Sequence, residues 1–177
     1  MRVCRVLKER GVRFVCLIAG EGPERPALER LIQDFGLAEC VKLLGHLSRE
    51  QLNVCYARCD LFVLTSRSEG IPLVLMEAMV RSKIVLAPAI TGIPELVRDG
   101  ETGFLYRAGS LEDFVGQVGM IRSSQSALNP LRRAARQHVL EHFDRTKNLQ
   151  SFGDFFLRQI NATTLEHSHE DPLLQQI

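Results

Sequence analysis

Short apolar runs alternate along this chain with segments whose apolar residues recur at helical spacing. Residues 12–19 (VRFVCLIA) form a β-rich apolar run that ends in the turn cluster GEGP at 20–23. Residues 24–35 then carry leucine, isoleucine and phenylalanine at intervals of three and four, and Gly36 ends that pattern. We predict further strands at 40–44, 60–64, 84–87 and 104–106, and further helices at 48–58, 72–82, 110–121, 130–143 and 144–160.

Strands that alternate with helices predict an α/β fold, in which a parallel sheet is covered by helices on both faces. We expect a single Rossmann-like domain over residues 1–160, and a disordered tail over 161–177, where the chain is polar. Sheets of this kind bind ligands at the carboxyl ends of their strands. The chemistry is therefore expected in the loops 20–23, 45–47, 65–71 and 88–95.

Composition and charge exclude several classes of protein. With 22 basic and 21 acidic residues among 177, the net charge of +1 gives no reason to expect nucleic acid or an anionic membrane as the main partner. Every apolar run is interrupted well before the ~18 residues that a membrane span needs. The first residues are too charged for a signal peptide. We therefore expect a cytoplasmic protein.

The five cysteines are odd in number and lie mostly in apolar segments, which is typical of reduced thiols. Cys55 and Cys59 are four residues apart, so a metal site is conceivable there. No second Cys/His pair at suitable spacing completes such a site. Packing of these thiols is the favoured interpretation, and no metal is expected.

Glu77 is the most informative single residue. It lies in a predicted helix (PLVLMEAMVRS) that is apolar on nearly every side and is therefore expected to be buried. A buried carboxylate costs several kcal/mol unless it is paired or hydrogen-bonded. Two interpretations stay open: an internal ion pair with an arginine or lysine, or a carboxylate that accepts hydrogen bonds from ribose hydroxyls.

Glu69 lies eight residues upstream, on the loop before the same helix. Gly70 lets the backbone turn tightly, and Pro72 is placed where a first helical residue needs no donor. Unpaired amides at a helix N-terminus favour phosphate. The amides expected to face the cleft are those of Ile71, Leu73 and Val74.

The segment SEGIPLVLMEAM (68–79) resembles the E-x7-E motif of retaining glycosyltransferases of the GT-B fold, specifically family 4. The likeness continues in chain order from about residue 13 to 157. The other segments that carry it are AGEGPERPALERL, VKLLGHLSREQLNVCYARCDLFVLTSRSEG, TGIPELVRDGETGFLY and HVLEHFDRTKNLQSFGDFF. The resemblance implies that the chain is the C-terminal, donor-binding half of such an enzyme.

The resemblance also implies roles for individual residues. Glu69, as the catalytic-site carboxylate, would contact hydroxyls of the donor sugar, and Glu77 would hold the ribose hydroxyls. The remaining donor-binding positions are the diphosphate turn and two loops: Gly70, Ile71, Pro72, Leu73, Val74, Gly20, Gly22 and His46. In the last of these the main chain, not the imidazole, would contact the base. Transfer with retention, without a cofactor or divalent metal, is implied in the same way.

The chain departs from the family pattern in one main respect and at two single residues. The N-terminal acceptor domain and the Arg/Lys pair of the first strand are absent, so we expect an inactive fragment; any peripheral membrane contact would come through the missing half. Arg67 is a loop cation that we expect to be solvated rather than to replace that pair. Thr91 and Ser82 stand where the family usually has glycine.

We therefore expect a glycosyltransferase fragment that binds a UDP-, GDP- or ADP-type sugar donor. The alternative is a non-catalytic nucleotide-sugar-binding or interaction module of the same fold. A nucleotide-sugar epimerase fits the segment TGIPELVRDGETGFL less well. A flavodoxin-like regulatory domain would need an acidic cluster that GEGP at 20–23 does not supply. The base, the sugar and the acceptor stay open.

Overall fold

The computed structural model describes the backbone of residues 1–169 and the side chains of residues 1–160. The chain divides into two compact units, Met1–Gln137 and His138–Ile177. Most elements lie in the first unit. Its strands are β1 (Cys16–Ala19), β2 (Val41–Gly45), β3 (Leu61–Val63), β4 (Ile84–Pro88) and β5 (Phe104–Tyr106). Its helices are α1 (Arg2–Glu9), α2 (Arg25–Asp34), α3 (Arg49–Arg58), α4 (Leu73–Val80), α5 (Ile93–Leu96), α6 (Leu111–Ser123) and the 3₁₀ helix Gln125–Leu128. Helix α7 (Asn129–His142) crosses the boundary between the units.

The predicted α/β class is confirmed, and the described strands pair in parallel. The pairing differs from the single sheet that we expected. In the part of the chain that the structure describes, β1 pairs only with β2, while β3, β4 and β5 form a second sheet in that order. The edge of β1 that faces away from β2, and the edge of β3 that faces away from β4, pair with no described strand. The strands therefore form two sheets instead of one.

Helix α1 packs against the cores of both sheets. Its Cys4 belongs to the core cluster of β1 and β2, and its neighbour Val3 packs against the cluster of β4 and β5. Both sheets therefore lie beneath one helix. The strands are buried unequally: β4 is buried along its whole length, whereas Leu17 of β1 is 49% exposed and Val15 before it is 69% exposed.

Local signals in the sequence set most helix boundaries. The predicted capping box is present: the amide of Gln51 donates to the Ser48 hydroxyl (3.3 Å) and the amide of Ser48 donates to the Gln51 side chain (2.8 Å). Ser110 caps α6 as expected. Pro72 was expected to be the first residue of α4, which is wrong by one position. Its ψ of 124° is extended, so it is the N-cap and Leu73 begins the helix.

The second unit contains the end of α7 and α8 (Arg145–His169). Helix α8 starts one residue later than expected, because the Asp144 side chain precedes the helix and accepts a hydrogen bond from the amide of Lys147 (3.0 Å). Its backbone continues past residue 160, where we placed the helix end; residues 170–177 of the expected tail lie outside the described residues. Among the described residues, no helix combines the length and apolarity that a membrane crossing requires.

Candidate functional site

The predicted site residues lie in the loops that follow the carboxyl ends of β1, β2 and β3, and in helix α4. The first two of these loops are joined, because the amide of Gly20 donates to the carbonyl of Gly45 (2.8 Å). Gly20 has φ 126° and Gly45 has φ 72°, and side chains rarely adopt such angles. Gly22 and His46 are exposed beside this bridge. The structure therefore brings together the Gly-rich turn and the predicted base-binding loop.

A second pair of loops joins the predicted sugar-binding turn to the segment after β4. The hydroxyl of Thr91 donates to the carbonyl of Glu69. A Cβ atom placed on Gly92 would lie 2.7 Å from the carbonyl oxygen of Gly70 and 3.0 Å from its carbonyl carbon. The backbone at Glu69 and Gly70 is thus held in place by the contacts of Thr91 and Gly92. The Glu69 side chain is half-buried, and Gly70 is exposed.

The N-terminus of α4 is open. Pro72 has no amide hydrogen, and its carbonyl accepts from the amide of Leu75 (3.1 Å). The amides of Leu73 and Val74 have no acceptor among the described residues. The side chain of Leu73 is 72% exposed. Two free donors at the positive end of a helix make this turn suited to an anion.

Glu77 corrects one of our expectations. The helix was expected to be buried on every side, but only the face with Leu75, Ala78 and Met79 is fully buried. Glu77 is exposed, on the same side as Val74, which lies one turn earlier. The apolar residues of that side face outward, which composition alone does not reveal. No arginine or lysine in the described residues forms an ion pair with Glu77, so the first of the two open interpretations is wrong.

The partner of Glu77 is Tyr56 of α3, which the sequence analysis did not identify. Its hydroxyl donates to Oε2 of Glu77 (3.0 Å) and lies 3.4 Å from the carbonyl of Val74. The tyrosine ring is 5% exposed and stacks on Phe62 with a centroid distance of 5.7 Å. Burial first, and then the Glu77 carboxylate, raise the pKa of the Tyr56 hydroxyl above its ordinary value. Tyr56 therefore stays protonated and can donate.

Arg81 completes this cluster from the C-terminal end of α4. Its guanidinium lies over the Tyr56 ring at 4.8 Å. One guanidinium nitrogen donates to the backbone carbonyl of Glu77 (2.9 Å), and the other donates to Oδ1 of Asn53 on α3 (2.7 Å). We call Tyr56, Glu77, Arg81 and Asn53 the Tyr56 cluster. A periodic pattern could not reveal it, because its members come from two helices.

Other candidate chemistry does not gather in the described residues. They contain no group of three or more His, Cys, Asp and Glu side chains that could hold a metal ion. All five cysteines are free thiols. Cys59, expected on the helix face of Cys55, is instead the C-cap residue after α3, and its thiol donates to the carbonyl of Tyr56. Arg67 is exposed, as expected. A groove beside α1 and α2 is lined by Arg5, Lys8, Glu9, Asp34 and Phe35.

Known proteins resemble this chain over most of its length. Residues 1–138 match the family model described as glycosyl transferases group 1. The amylovoran biosynthesis glycosyltransferase AmsK of Erwinia amylovora is 31% identical over 150 residues, which are 81% of this chain and 37% of that protein. The chain thus spans little more than a third of the length of this relative.

Solved structures show the same fold. Sucrose-phosphate synthase of Thermosynechococcus elongatus superposes with a TM-score of 0.79 at 23% identity, over 91% of this chain and 42% of that one. Anabaena Alr3699/HepE, solved in complex with UDP, superposes with a TM-score of 0.73 at 25% identity, over 82% of this chain and 41% of that one. With the family model matching most of the chain, the sequence, the parallel α/β fold and these likenesses agree that this chain belongs to the glycosyl transferases group 1 family.

Proposed function

We propose that this chain is the donor-binding half of a retaining, family 4 glycosyltransferase of GT-B architecture, and that it binds a nucleoside-diphosphate sugar at the open end of α4. One observation carries the proposal. The free amides of Leu73 and Val74 lie at the N-terminus of α4, and the exposed Glu77 lies about one turn further along the same helix. A nucleoside diphosphate likewise carries its anionic phosphates next to its ribose hydroxyls.

The diphosphate would bind the turn from Gly70 to Val74. Its charge favours the helix N-terminus, where two amides are free to donate. The ribose would then lie one turn along the helix, where its hydroxyls would donate to Glu77. UDP is the ligand of the Anabaena relative, and a uridine nucleotide is accordingly the first probe to use.

The donor sugar would contact Glu69. Its backbone is fixed by the hydroxyl of Thr91, and Gly92 supports the next residue. As the sugar–phosphate bond breaks, negative charge grows on the leaving nucleoside diphosphate. Preorganised amides stabilise that charge most where it develops. The departing phosphate would take the acceptor proton in a front-side attack, which accounts for retention without a metal or a covalent nucleophile.

The loops after β1 and β2 would close the other side of the donor site. Gly20 and Gly22 would let a ligand approach the backbone, and main-chain groups beside His46 would contact the base. The bridge between Gly20 and Gly45 supports this assignment, because it fixes the two loops against each other.

Calorimetric titration of the 177-residue chain with UDP, GDP and ADP tests the proposal. We expect one of the three to bind, and Glu77→Ala to weaken that binding at least tenfold, which matches the loss of a charge-assisted hydrogen bond of about 1.5–3 kcal/mol. Glu101→Ala is the matched control, since Glu101 is an exposed carboxylate just before β5, at the opposite end of the strands. Equal affinity of wild type and Glu77→Ala would remove the ribose assignment.

The catalytic proposal concerns an enzyme of the relatives' full length, and this chain matches 37% of the Erwinia amylovora glycosyltransferase. We propose that residues 1–177 bind the donor but do not transfer sugar. Sugar transfer by the purified chain to any glycan, lipid or small-molecule acceptor would overturn that statement. Released nucleoside diphosphate is the quantity to measure. Donor binding without transfer is also what a non-catalytic binding module would show, so turnover by a longer protein containing this chain separates the two.

A further inference from the structure

We infer that Tyr56 is a positioning residue, which fixes the Glu77 carboxylate in the orientation that selects ribose over deoxyribose. The inference rests on the proposed function, because it assigns a second residue to the same ribose site. Nothing in the sequence pattern assigns this role to Tyr56, which occupies an apolar position of α3.

The hydroxyl of Tyr56 has one hydrogen and two nearby acceptors. Oε2 of Glu77 lies at 3.0 Å and the carbonyl of Val74 at 3.4 Å, so the shorter, charge-assisted bond goes to the carboxylate. Among the described residues, Oε1 of Glu77 accepts no hydrogen bond. One oxygen is therefore tied to the protein, and the other is left for a ligand.

The tyrosine ring contacts an aromatic ring and a guanidinium group. Phe62 of β3 stacks against it at an interplanar angle of 29°, and the Arg81 guanidinium lies 4.8 Å from its centroid. The ring is almost completely buried, and this packing restricts movement of the hydroxyl away from Glu77. A glutamate on an exposed helix face would otherwise sample several rotamers.

Arg81 fixes the cluster to both helices. It binds the backbone carbonyl of Glu77 on α4 and the side chain of Asn53 on α3. The position of Glu77 thus depends on how α3 and α4 are held together, and not on α4 alone. A preoriented acceptor loses less freedom on binding than a mobile one, which is how positioning raises affinity.

Comparing UDP, GDP and ADP with their 2′-deoxy forms tests this inference by calorimetry on the 177-residue chain. Wild type is expected to bind the ribose form of its preferred nucleotide about tenfold more tightly than the deoxy form, and Glu77→Ala to lose that ratio. Tyr56→Phe is expected to lower the ratio to about threefold or less. Arg81→Lys, which keeps the charge but not the forked contacts, is expected to give an intermediate ratio and serves if Tyr56→Phe does not fold.

Tyr106→Phe is the matched control. Tyr106 is also buried, and its hydroxyl donates to the carbonyl of Leu64 (3.2 Å), so the same atom is removed outside the Tyr56 cluster. Its ratio is expected to equal that of wild type. If Tyr56→Phe weakens both nucleotide forms equally and keeps the wild-type ratio, Tyr56 is merely structural and the inference fails.

The outcomes also separate this inference from the proposed function. A wild-type ratio near one, or a ratio that Glu77→Ala leaves unchanged, would remove Glu77 from the ribose site and this inference with it. Absence of binding by all three nucleotides would overturn the donor site as a whole. A ratio that depends on Glu77 but not on Tyr56 overturns the inference alone.

Discussion

Gly92 packs against the backbone of Gly70: a Cβ atom on Gly92 would be 2.7 Å from the carbonyl oxygen of Gly70. The nearest atoms are backbone, which cannot rotate aside as a side chain does. The segment after β4 therefore fixes the position of the turn that carries Glu69. This contact explains why the segment TGIP has a glycine at its second position.

We predict that Gly92→Ala displaces the turn and weakens nucleoside-diphosphate binding at least tenfold, with a loss of about 1–3 kcal/mol in the free energy of unfolding. Calorimetry and urea denaturation measure the two effects. Gly116→Ala in α6 is the control, since a Cβ there meets nothing within 4 Å. Wild-type affinity in Gly92→Ala would show that the turn does not depend on this contact.

Ser82 lies just after the C-cap residue of α4 and has a left-handed backbone conformation, with φ 56°. Its amide donates to the backbone carbonyl of Met79 (2.8 Å), and the amide of Lys83 donates to the backbone carbonyl of Ala78 (3.0 Å). These two hydrogen bonds form a Schellman motif. Glycine is the usual residue at this position because it has no Cβ to strain. We predict that Ser82→Gly raises the free energy of unfolding by about 0.5–1 kcal/mol, after the entropy gained by the unfolded chain is subtracted.

Urea denaturation measures this change. Ser124→Gly at the end of α6 is the comparison, because Ser124 has φ −107° and no strain to relieve, so glycine there is expected to destabilise. A lower stability of Ser82→Gly than of wild type would contradict the strain at this helix end.

The two sites where the family usually has glycine illustrate what could be predicted. Thr91 and Ser82 are departures visible in the sequence, and they are the residues other than glycine with left-handed φ in the described chain. That agreement arises because such conformations are local. Helix spans and caps, such as the Ser48 capping box, were predictable for the same reason.

What the sequence could not reveal depends on contacts between distant segments. Tyr56 and Glu77 are 21 residues apart, and only the packing of α3 on α4 brings them together. The exposed side of α4 was also missed, because apolar residues such as Leu73 normally indicate burial. The pairing of the strands in two sheets depends on which edges find partners, and hydrophobic pattern does not encode this.

The two tyrosines give a prediction about pH. Burial is the largest cause that raises the pKa of Tyr56, and burial also raises the pKa of Tyr106. In the unfolded chain both ionise near their ordinary pKa of about 10. The free energy of unfolding therefore keeps the full contribution of both protonated tyrosines below about pH 10. This contribution is lost as the pH rises further, because the unfolded chain releases its tyrosine protons first.

Absorbance at 295 nm checks this directly, because the chain has two tyrosines and no tryptophan. We predict that the native chain ionises neither tyrosine at about pH 10, while the chain in denaturant ionises both there. Tyr56→Phe should remove one of the two late transitions. Ionisation of both tyrosines of the native chain at the ordinary pH would mean that the hydroxyl of Tyr56 is accessible to water and not held by Glu77.

Amide chemical-shift mapping of the isotope-labelled chain during titration with UDP, GDP and ADP tests the donor site most directly. The account predicts that the largest saturating shifts fall on Gly70, Leu73 and Val74, with further shifts at Gly20 and Gly22. Saturating shifts confined to the groove of Arg5, Lys8, Glu9, Asp34 and Phe35, with the amides at the start of α4 unmoved, would contradict it.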